Sequence, residues 1–256
     1  MSIEDNLRTW IDSQGYPLEL RTAEALRRAG LWWDHGRTYT DPVTGKVREI
    51  DLVADLGSEG NRSVQAILEC KHVGKGKPWV MFATDQNPMN NRGFVVQTPA
   101  TDKMRDTINS VADDNRLHRI DFFQRPDVVG FHLVVSHGDN QDAAFHAVST
   151  VVTAGIELAR QHSSFGHSLL YVPVVVVDTP LFTCVLPNKE EHYQLQRVER
   201  ATLLHSLGDG SRVPVQVITI EGFPTFIGAA NSGANKLLGL FRDGGSASTI
   251  AARSDE

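Results

Sequence analysis

Several common features are missing from this 256-residue chain, and each absence excludes a class of protein. The two cysteines, Cys70 and Cys184, lie far apart, so a disulfide scaffold, a zinc cluster and a redox dithiol are excluded. No run of about 18 apolar residues is present that could span a membrane. The first residues also lack the basic and apolar regions of a signal peptide. We therefore expect a cytoplasmic protein without a membrane partner.

Positive charge is outnumbered by negative charge, with 25 Lys and Arg against 31 Asp and Glu, which gives a formal net charge of −6. This balance excludes a protein that coats nucleic acid by charge alone, but it permits an enzyme that holds a short phosphodiester in a local basic patch. No glycine-rich loop follows a predicted strand, so a nucleotide-binding enzyme or small-molecule hydrolase lacks support. No helix-turn-helix or zinc finger is recognisable. The composition, with 41% apolar and 22% charged residues, is that of a folded globular protein.

Hydrophobic periodicity predicts an α/β fold. Two short helices between residues 2 and 30 precede strands at 32–40, 47–56 and 64–71. A loop-rich segment, 75–97, includes a short helix near Trp79, whose indole we expect in the core. Further helices are predicted at 101–117, 142–162 and 224–241, and strands at 128–136, 171–177 and 213–221, whereas 189–206 is ambiguous. We expect one domain over 1–242, its second part spanning 100–242, and a disordered tail over 243–256.

Strands 47–56 and 64–71 form an antiparallel hairpin if the turn is centred on Gly60. Apolar residues then pair on one face and polar residues on the other. The apolar pairs are Ile50 with Cys70, Leu52 with Leu68, Ala54 with Ala66 and Leu56 with Val64. The polar pairs are Asp51 with Glu69, Glu49 with Lys71 and Asp55 with Gln65. Directly opposed Cβ atoms on one face are roughly 5 Å apart, so this register predicts that Asp51 and Glu69 are neighbours.

Neighbouring carboxylates repel unless a cation or a proton lies between them. Magnesium is typically held by one or two carboxylates, with water and substrate phosphate completing its coordination. Lys71 is two residues beyond Glu69 and points the same way, so its ammonium can hold an attacking water or offset charge on a phosphate. Glu19, beside the apolar face of the preceding helix, is placed to supply a further carboxylate. Together these residues provide the parts of metal-assisted phosphodiester hydrolysis.

Asp51, followed by Glu69-Cys70-Lys71 at the end of the next strand and preceded by a helix bearing Glu19, resembles the PD-(D/E)xK phosphodiesterase superfamily. The resemblance covers residues 16–80. It implies a restriction-endonuclease-like catalytic core there, with a mixed central β-sheet flanked by helices. Ile50 stands where the family's name has proline, a residue that is often absent in the superfamily.

The resemblance implies a hydrolase, an endonuclease that depends on Mg²⁺ or Mn²⁺. Asp51 and Glu69 would be metal ligands, the backbone carbonyl of Cys70 would complete the metal site, and Lys71 would be the catalytic lysine. Glu19 would serve a second metal or the water. Many members act in defence, repair and restriction, so the resemblance also implies a prokaryotic antiviral defence or repair role, with DNA favoured over RNA as the substrate.

Simpler interpretations stay open for the same residues. Asp51, Glu69 and Lys71 are also compatible with a solvated hairpin face whose exposed ion pairs are worth about 0 to 1 kcal/mol. Glu19 is equally compatible with a helix-surface acid, as we expect for Glu24 beside its neighbouring arginines.

Partner interactions are open as well. His72, Lys75 and Lys77 form a basic cluster that a nucleic-acid backbone could cross, or else a solvated loop. The alternative for the whole chain is a non-catalytic, nuclease-like binding or assembly subunit of a larger complex, with a protein partner. A homodimer is expected only by analogy, because two symmetric sites cut both strands of a duplex most simply.

Overall fold

The computed structural model describes residues 2–74, 76–84, 97–111, 116–124, 126, 128–136, 142–186 and 192–251, with only the backbone given for 118, 142 and 243–251. Within these ranges the chain forms five α-helices and ten strands. The helices are α1 (Ile3–Asp12), α2 (Tyr16–Arg28), α3 (Asp102–Ser110), α4 (Asp142–Ser163) and α5 (Phe223–Ala251), and two 3₁₀ turns span Leu117–Arg119 and Asp121–Phe123. The strands are β1 (Trp33–Thr40), β2 (Val47–Glu59), β3 (Arg62–Lys71), β4 (Trp79–Thr84), β5 (Val129–Val135), β6 (Ser168–Val177), β7 (Leu181–Val185), β8 (Gln194–Val198), β9 (Arg200–Ser206) and β10 (Arg212–Thr219).

The described strands join one mixed sheet in the order β1-β2-β3-β6-β10-β9-β5-β4-β7-β8. Strands β1, β2 and β3 form an antiparallel meander, whereas β3, β6 and β10 run parallel. Strand β6 is buried at every position, as expected for an apolar strand covered on both faces. Parallel neighbours end at the same edge of a sheet. The carboxyl end of β3, which carries Glu69 and Lys71, therefore lies beside the carboxyl end of β6.

Helices cover both faces of the sheet and enclose two hydrophobic cores. One core, which contains Leu52 and Leu68, lies against α2, α3 and α5. The other core contains Val53 and Ile67 and lies against α4. This division follows from the alternation of side chains along β2 and β3. No helix within the described ranges is long and apolar enough to cross a membrane.

The middle of the predicted hairpin is confirmed, because Leu52 pairs with Leu68, Ala54 with Ala66 and Asp55 with Gln65. Nearer the turn the prediction is wrong, since Gly57 rather than Leu56 lies opposite Val64. A β-bulge between Asp55 and Gly57 causes the shift. The Gly57 N–H donates to Asp55 Oδ1 (3.0 Å), and this local bond stabilises the bulge.

At its other end the hairpin departs from simple alternation at Gly36 and Asp51. Gly36 has a positive φ of 68°, and no ladder pair joins it to Asp51, although the flanking pairs of β1 and β2 are formed. Ile50 is buried in the core beside α4, whereas Leu52 and Cys70 lie in the opposite core. The predicted sharing of one face by Ile50 and Cys70 is therefore wrong, because the alternation of side chains along β2 is interrupted between Ile50 and Leu52, where the ladder with β1 also lacks one pair.

Other predicted elements change in extent or type. Trp79 begins strand β4 instead of lying near a short helix, and its side chain is fully buried as expected. The ambiguous segment contains β8 and β9, and the helix predicted at 101–117 ends at Ser110. Helix α5 continues to Ala251, and the disordered tail expected over 243–256 stays a prediction. Residues 252–256 lie outside the described ranges.

The conformation at Gly36 predicts that Gly36→Ala lowers the free energy of unfolding by about 1 to 2 kcal/mol, because an L-residue is strained at positive φ. An added Cβ would also lie 3.0 Å from Glu49 Oε1. Gly208→Ala is the control, since Gly208 has no positive φ and open space around its Cβ position. Urea denaturation of both variants measures the difference. Equal stabilities for the two would contradict the assigned role of Gly36.

Candidate active site

A cleft of about 530 Å³ lies between the β1–β3 meander and helix α4. Three of the residues singled out from the sequence, Asp51, Glu69 and Lys71, line it together. The other lining residues are Tyr39, Asp41, Val47, Arg48, Glu49, His146, Ser149, Thr150 and Thr153. The structure thus brings the predicted acid, acid and lysine set into one concave site, at the carboxyl end of β3.

Asp51 is held in the site by a backbone group of the neighbouring strand. Its Oδ2 atom accepts a hydrogen bond from the Cys70 N–H at 2.7 Å. The last backbone pair of the β2–β3 ladder is Leu52 with Leu68. Beyond this pair, the side chain of Asp51 takes the place of a backbone acceptor for the Cys70 N–H. The predicted direct pairing of Asp51 with Glu69 is therefore absent from the ladder, yet both carboxylates reach the same cleft.

Lys71 lies beside Glu69, with 3.6 Å between Lys71 Nζ and Glu69 Oε1. Alternate residues of a strand point to the same face, which explains why both side chains enter the cleft. The Glu69 side chain is 13% exposed and that of Lys71 is 33% exposed. The pair is therefore neither a solvated surface ion pair nor sealed in the core, and the ammonium remains accessible from the cleft.

Burial is the main cause of an unusual pKa at Glu69. The pKa of this carboxyl is raised from 4.5 to about 7, first by loss of solvent and then by the charges of Asp51 and Glu19, while Lys71 opposes the shift. Burial likewise raises the pKa of Asp51, against the lowering effects of the Cys70 N–H and of Lys71. Each acid is therefore held in a place where its charged form is disfavoured.

Glu19 lies on α2, and it is not among the residues that line the cleft. Burial raises its pKa, and the charges of Asp51 and Glu49 add to the effect, so its carboxylate is within electrostatic reach of the site. Glu24, on the same helix, differs as expected. Hydrogen bonds from Arg27 and Arg28 lower the pKa of Glu24 to about 2, and its charge is satisfied at the surface.

The predicted basic cluster after β3 is only partly described. The His72 Nδ1 donates to Asp178 Oδ2 at 2.6 Å, and both side chains are mostly buried. The backbone carbonyl of Lys77 accepts from Thr179 Oγ1 at 3.0 Å. Lys75 lies outside the described residues. These bonds attach the segment after β3 to the segment after β6, and a nucleic-acid contact by His72, Lys75 or Lys77 stays a prediction.

The donor set of the cleft suits a hard divalent cation only if other ligands complete its coordination. In the described part of the chain, no three or more His, Cys, Asp or Glu side chains are grouped to hold a metal ion. Asp51 uses Oδ2 for the Cys70 N–H, which leaves Oδ1 for a cation beside Glu69. One or two carboxylates suffice for Mg²⁺ when water and substrate phosphate supply the remaining ligands. The two acids therefore fit a cation that binds together with substrate.

Two features of the site were missed in the sequence. Glu49 lines the cleft and contributes to the pKa of both Asp51 and Glu19. Opposite the acids, α4 presents four polar residues spaced at i, i+3, i+4 and i+7, and these are His146, Ser149, Thr150 and Thr153. This spacing is visible in the sequence as a polar stripe in the otherwise apolar stretch 143–156 of the helix.

The raised pKa of Glu69 predicts a specific dependence of stability on pH. The folded state keeps a proton on Glu69 that the unfolded state releases between 4.5 and about 7. The free energy of unfolding contributed by this group therefore falls as pH rises through that window, by on the order of 3 kcal/mol. Glu69→Gln removes the fall, so without divalent cations the variant should exceed the parent in stability at about pH 8 and match it at about pH 4.

Chemical denaturation at both pH values measures this effect. Glu24→Gln is the matched control, because Glu24 lies at the surface and its pKa is lowered instead of raised. The Glu24→Gln variant should lose stability between about pH 4 and about pH 8, as the parent protein does. A Glu69→Gln variant with the same pH dependence as the parent would contradict the assigned charge conflict.

Comparison with known proteins identifies no relative of this chain. No model of a protein family matches the chain, and searches of curated proteins and of solved structures find no match. The chemistry of the cleft is therefore inferred from its residues, their distances and their charges.

Proposed function

We propose that this chain is a metal-dependent nuclease that hydrolyses phosphodiester bonds in nucleic acid, with DNA favoured over RNA. The observation that carries the proposal is the convergence of Asp51, Glu69 and Lys71 in one cleft, with burial raising the pKa of both acids. Strongly perturbed carboxyl groups in a cleft are typical of functional sites. A solvated hairpin face would leave these acids exposed and their pKa values near the ordinary range.

The chain order supports the same proposal. Helix α2, strand β1 and the β2–β3 hairpin follow one another as the resemblance to the PD-(D/E)xK superfamily implies, and β6 lies parallel beside β3. On this basis we assign a restriction-endonuclease-like core to residues 16–80 together with β6. A prokaryotic defence or repair role follows from the resemblance alone.

Each residue has a defined task in the proposed reaction. Asp51 and Glu69 would hold Mg²⁺ or Mn²⁺, with the backbone carbonyl of Cys70 as a further ligand. Lewis-acid polarisation of the phosphoryl oxygen is the chemistry that this cation supplies when bound. Lys71 donates to the oxygen on which negative charge develops or orients the attacking water. Glu19 supplies an additional negative charge at the edge of the site.

A second candidate, a non-catalytic binding or assembly subunit, is favoured by one observation. The described residues contain no preformed group of three or more metal-ligating side chains. In that case the cleft would be a relic of a nuclease-like scaffold, and the chain would act through a protein partner.

Cleavage assays test the proposed activity. With Mg²⁺ or Mn²⁺ the protein should degrade oligonucleotides, and Asp51→Asn, Glu69→Gln or Lys71→Met should each lower the rate by about 100-fold or more, because each removes a transition-state contact. Glu19→Gln should reduce the rate, whereas Glu24→Gln on the same helix should not. Undiminished cleavage by the Asp51, Glu69 and Lys71 variants would overturn the assignment, as would a folded protein that cuts nothing.

Calorimetry with Mn²⁺ separates the two candidates. A nuclease site should bind Mn²⁺ with release of protons at about pH 6, because the protonated fraction of Glu69 must ionise before it can act as a ligand. Asp51→Asn should weaken the binding and Glu69→Gln should abolish the proton release. A binding module predicts weak or absent heat that neither substitution changes.

A further inference from the structure

The polar stripe on α4 forms the wall of the cleft that faces the acids. His146, Ser149, Thr150 and Thr153 are lining residues, and they lie on one side of the helix because they recur at helical spacing. The remaining buried positions of this stretch, Ala147, Val148, Val151, Val152 and Ala154, pack in the core. The stripe is therefore the one part of α4 between 146 and 153 that combines hydrogen-bonding groups with access to the cleft.

Ser149 has an unusual local environment. Its Oγ atom is buried and has no hydrogen-bond partner. A serine inside a helix commonly bonds to the carbonyl four residues earlier, and buried polar atoms without partners are few in native folds. Ser149 lines the cleft, so rotation of its side chain to another rotamer would let this hydroxyl donate to a ligand oxygen there.

The dimensions of the cleft limit what can reach the acids. A volume of about 530 Å³ lies in the range of roughly 300 to 1,000 Å³ that is typical of small-molecule sites. The Glu69 side chain is only 13% exposed between the sheet and α4. A single flexible backbone can bend into such a space.

Aromatic rings lie next to the polar stripe. The ring of His146 is 6.2 Å from that of Phe145, which is 60% exposed and also lies 5.9 Å from the ring of His205. Proteins that bind single strands without sequence preference stack the bases on exposed aromatic side chains. Phe145 is not among the residues that line the cleft, but His146 is, so a strand whose phosphate enters the cleft would meet the His146 ring first and the Phe145 ring beyond it.

We propose that the cleft takes an unpaired nucleic-acid strand, with the α4 stripe bonding to its sugar-phosphate backbone and the Phe145–His146 pair stacking a base. The inference rests on the proposed nuclease function and names its substrate class. Thr150 and Thr153 are assigned as binding residues that face the scissile phosphate across the cleft. Ser149 provides a further hydroxyl. The acids and Lys71 keep the tasks described above.

The test compares one labelled 20-nucleotide strand with the same strand in a blunt duplex, at equal Mn²⁺. We expect cleavage of the unpaired strand to be about ten-fold faster or more. Thr150→Val and Phe145→Ala should raise KM for the unpaired strand several-fold and leave kcat nearly unchanged. Thr150→Ser should retain the parent KM, and Thr107→Val, on helix α3 away from the cleft, is the matched control.

The outcomes separate this inference from the function on which it rests. Equal or faster cleavage of the duplex, or an unchanged KM in Thr150→Val, would overturn the unpaired-strand assignment while the nuclease function stands. Absence of cleavage would overturn the nuclease function. Fluorescence anisotropy with the Lys71→Met variant then tests the binding site for an unpaired strand. Tight binding of the unpaired strand, without tight binding of the duplex, supports that site. Binding of an oligolysine peptide in place of either nucleic acid would refute it.

Discussion

The arrangement of this site depends on two carboxylates, Asp51 and Glu69, that are kept close to one another in a partly buried cleft. Their negative charges oppose each other, and burial makes each charge more costly. The Cys70 N–H donates to Asp51 and holds it in place, and Lys71 compensates part of the charge on Glu69. The rest of the fold provides this placement, since β3 brings Glu69 and Lys71 to the sheet edge and α4 covers them.

Such a conflict lowers the stability of the folded protein, and its presence in an ordered sheet indicates a function. A pair of surface acids would be solvated, and a pair of core acids would be replaced by apolar residues without loss. Here the acids are accessible from a cleft, beside a lysine and opposite hydroxyl groups that include an unpartnered one. These properties suit a cation together with a phosphate, because the cation would relieve the repulsion between the acids and the phosphate oxygens would accept hydrogen bonds from the hydroxyl groups.

Much of the hairpin could be predicted from the sequence, because the alternation of apolar residues determines which strand faces meet. Side chains alternate between the two faces of a strand, and this alternation predicts that Leu52 lies opposite Leu68. It also predicts that Asp51, Glu69 and Lys71 lie on the other face. The irregularity at Gly36 could not be predicted, since a lone glycine in a strand pattern does not reveal its φ. The contribution of α4 was missed for another reason. Its polar stripe is visible in the sequence, but only the tertiary fold places it opposite the acids.

Anomalous scattering from a crystal soaked with Mn²⁺ and a short unpaired oligonucleotide would locate a cation at the two acids. We expect a manganese peak between Asp51 and Glu69, at about 2.1 Å from a carboxylate oxygen of each residue, with a phosphate oxygen on the side facing Lys71 and α4. A well-ordered cleft without a peak, or carboxylates that diverge from one another in the presence of Mn²⁺, would contradict it.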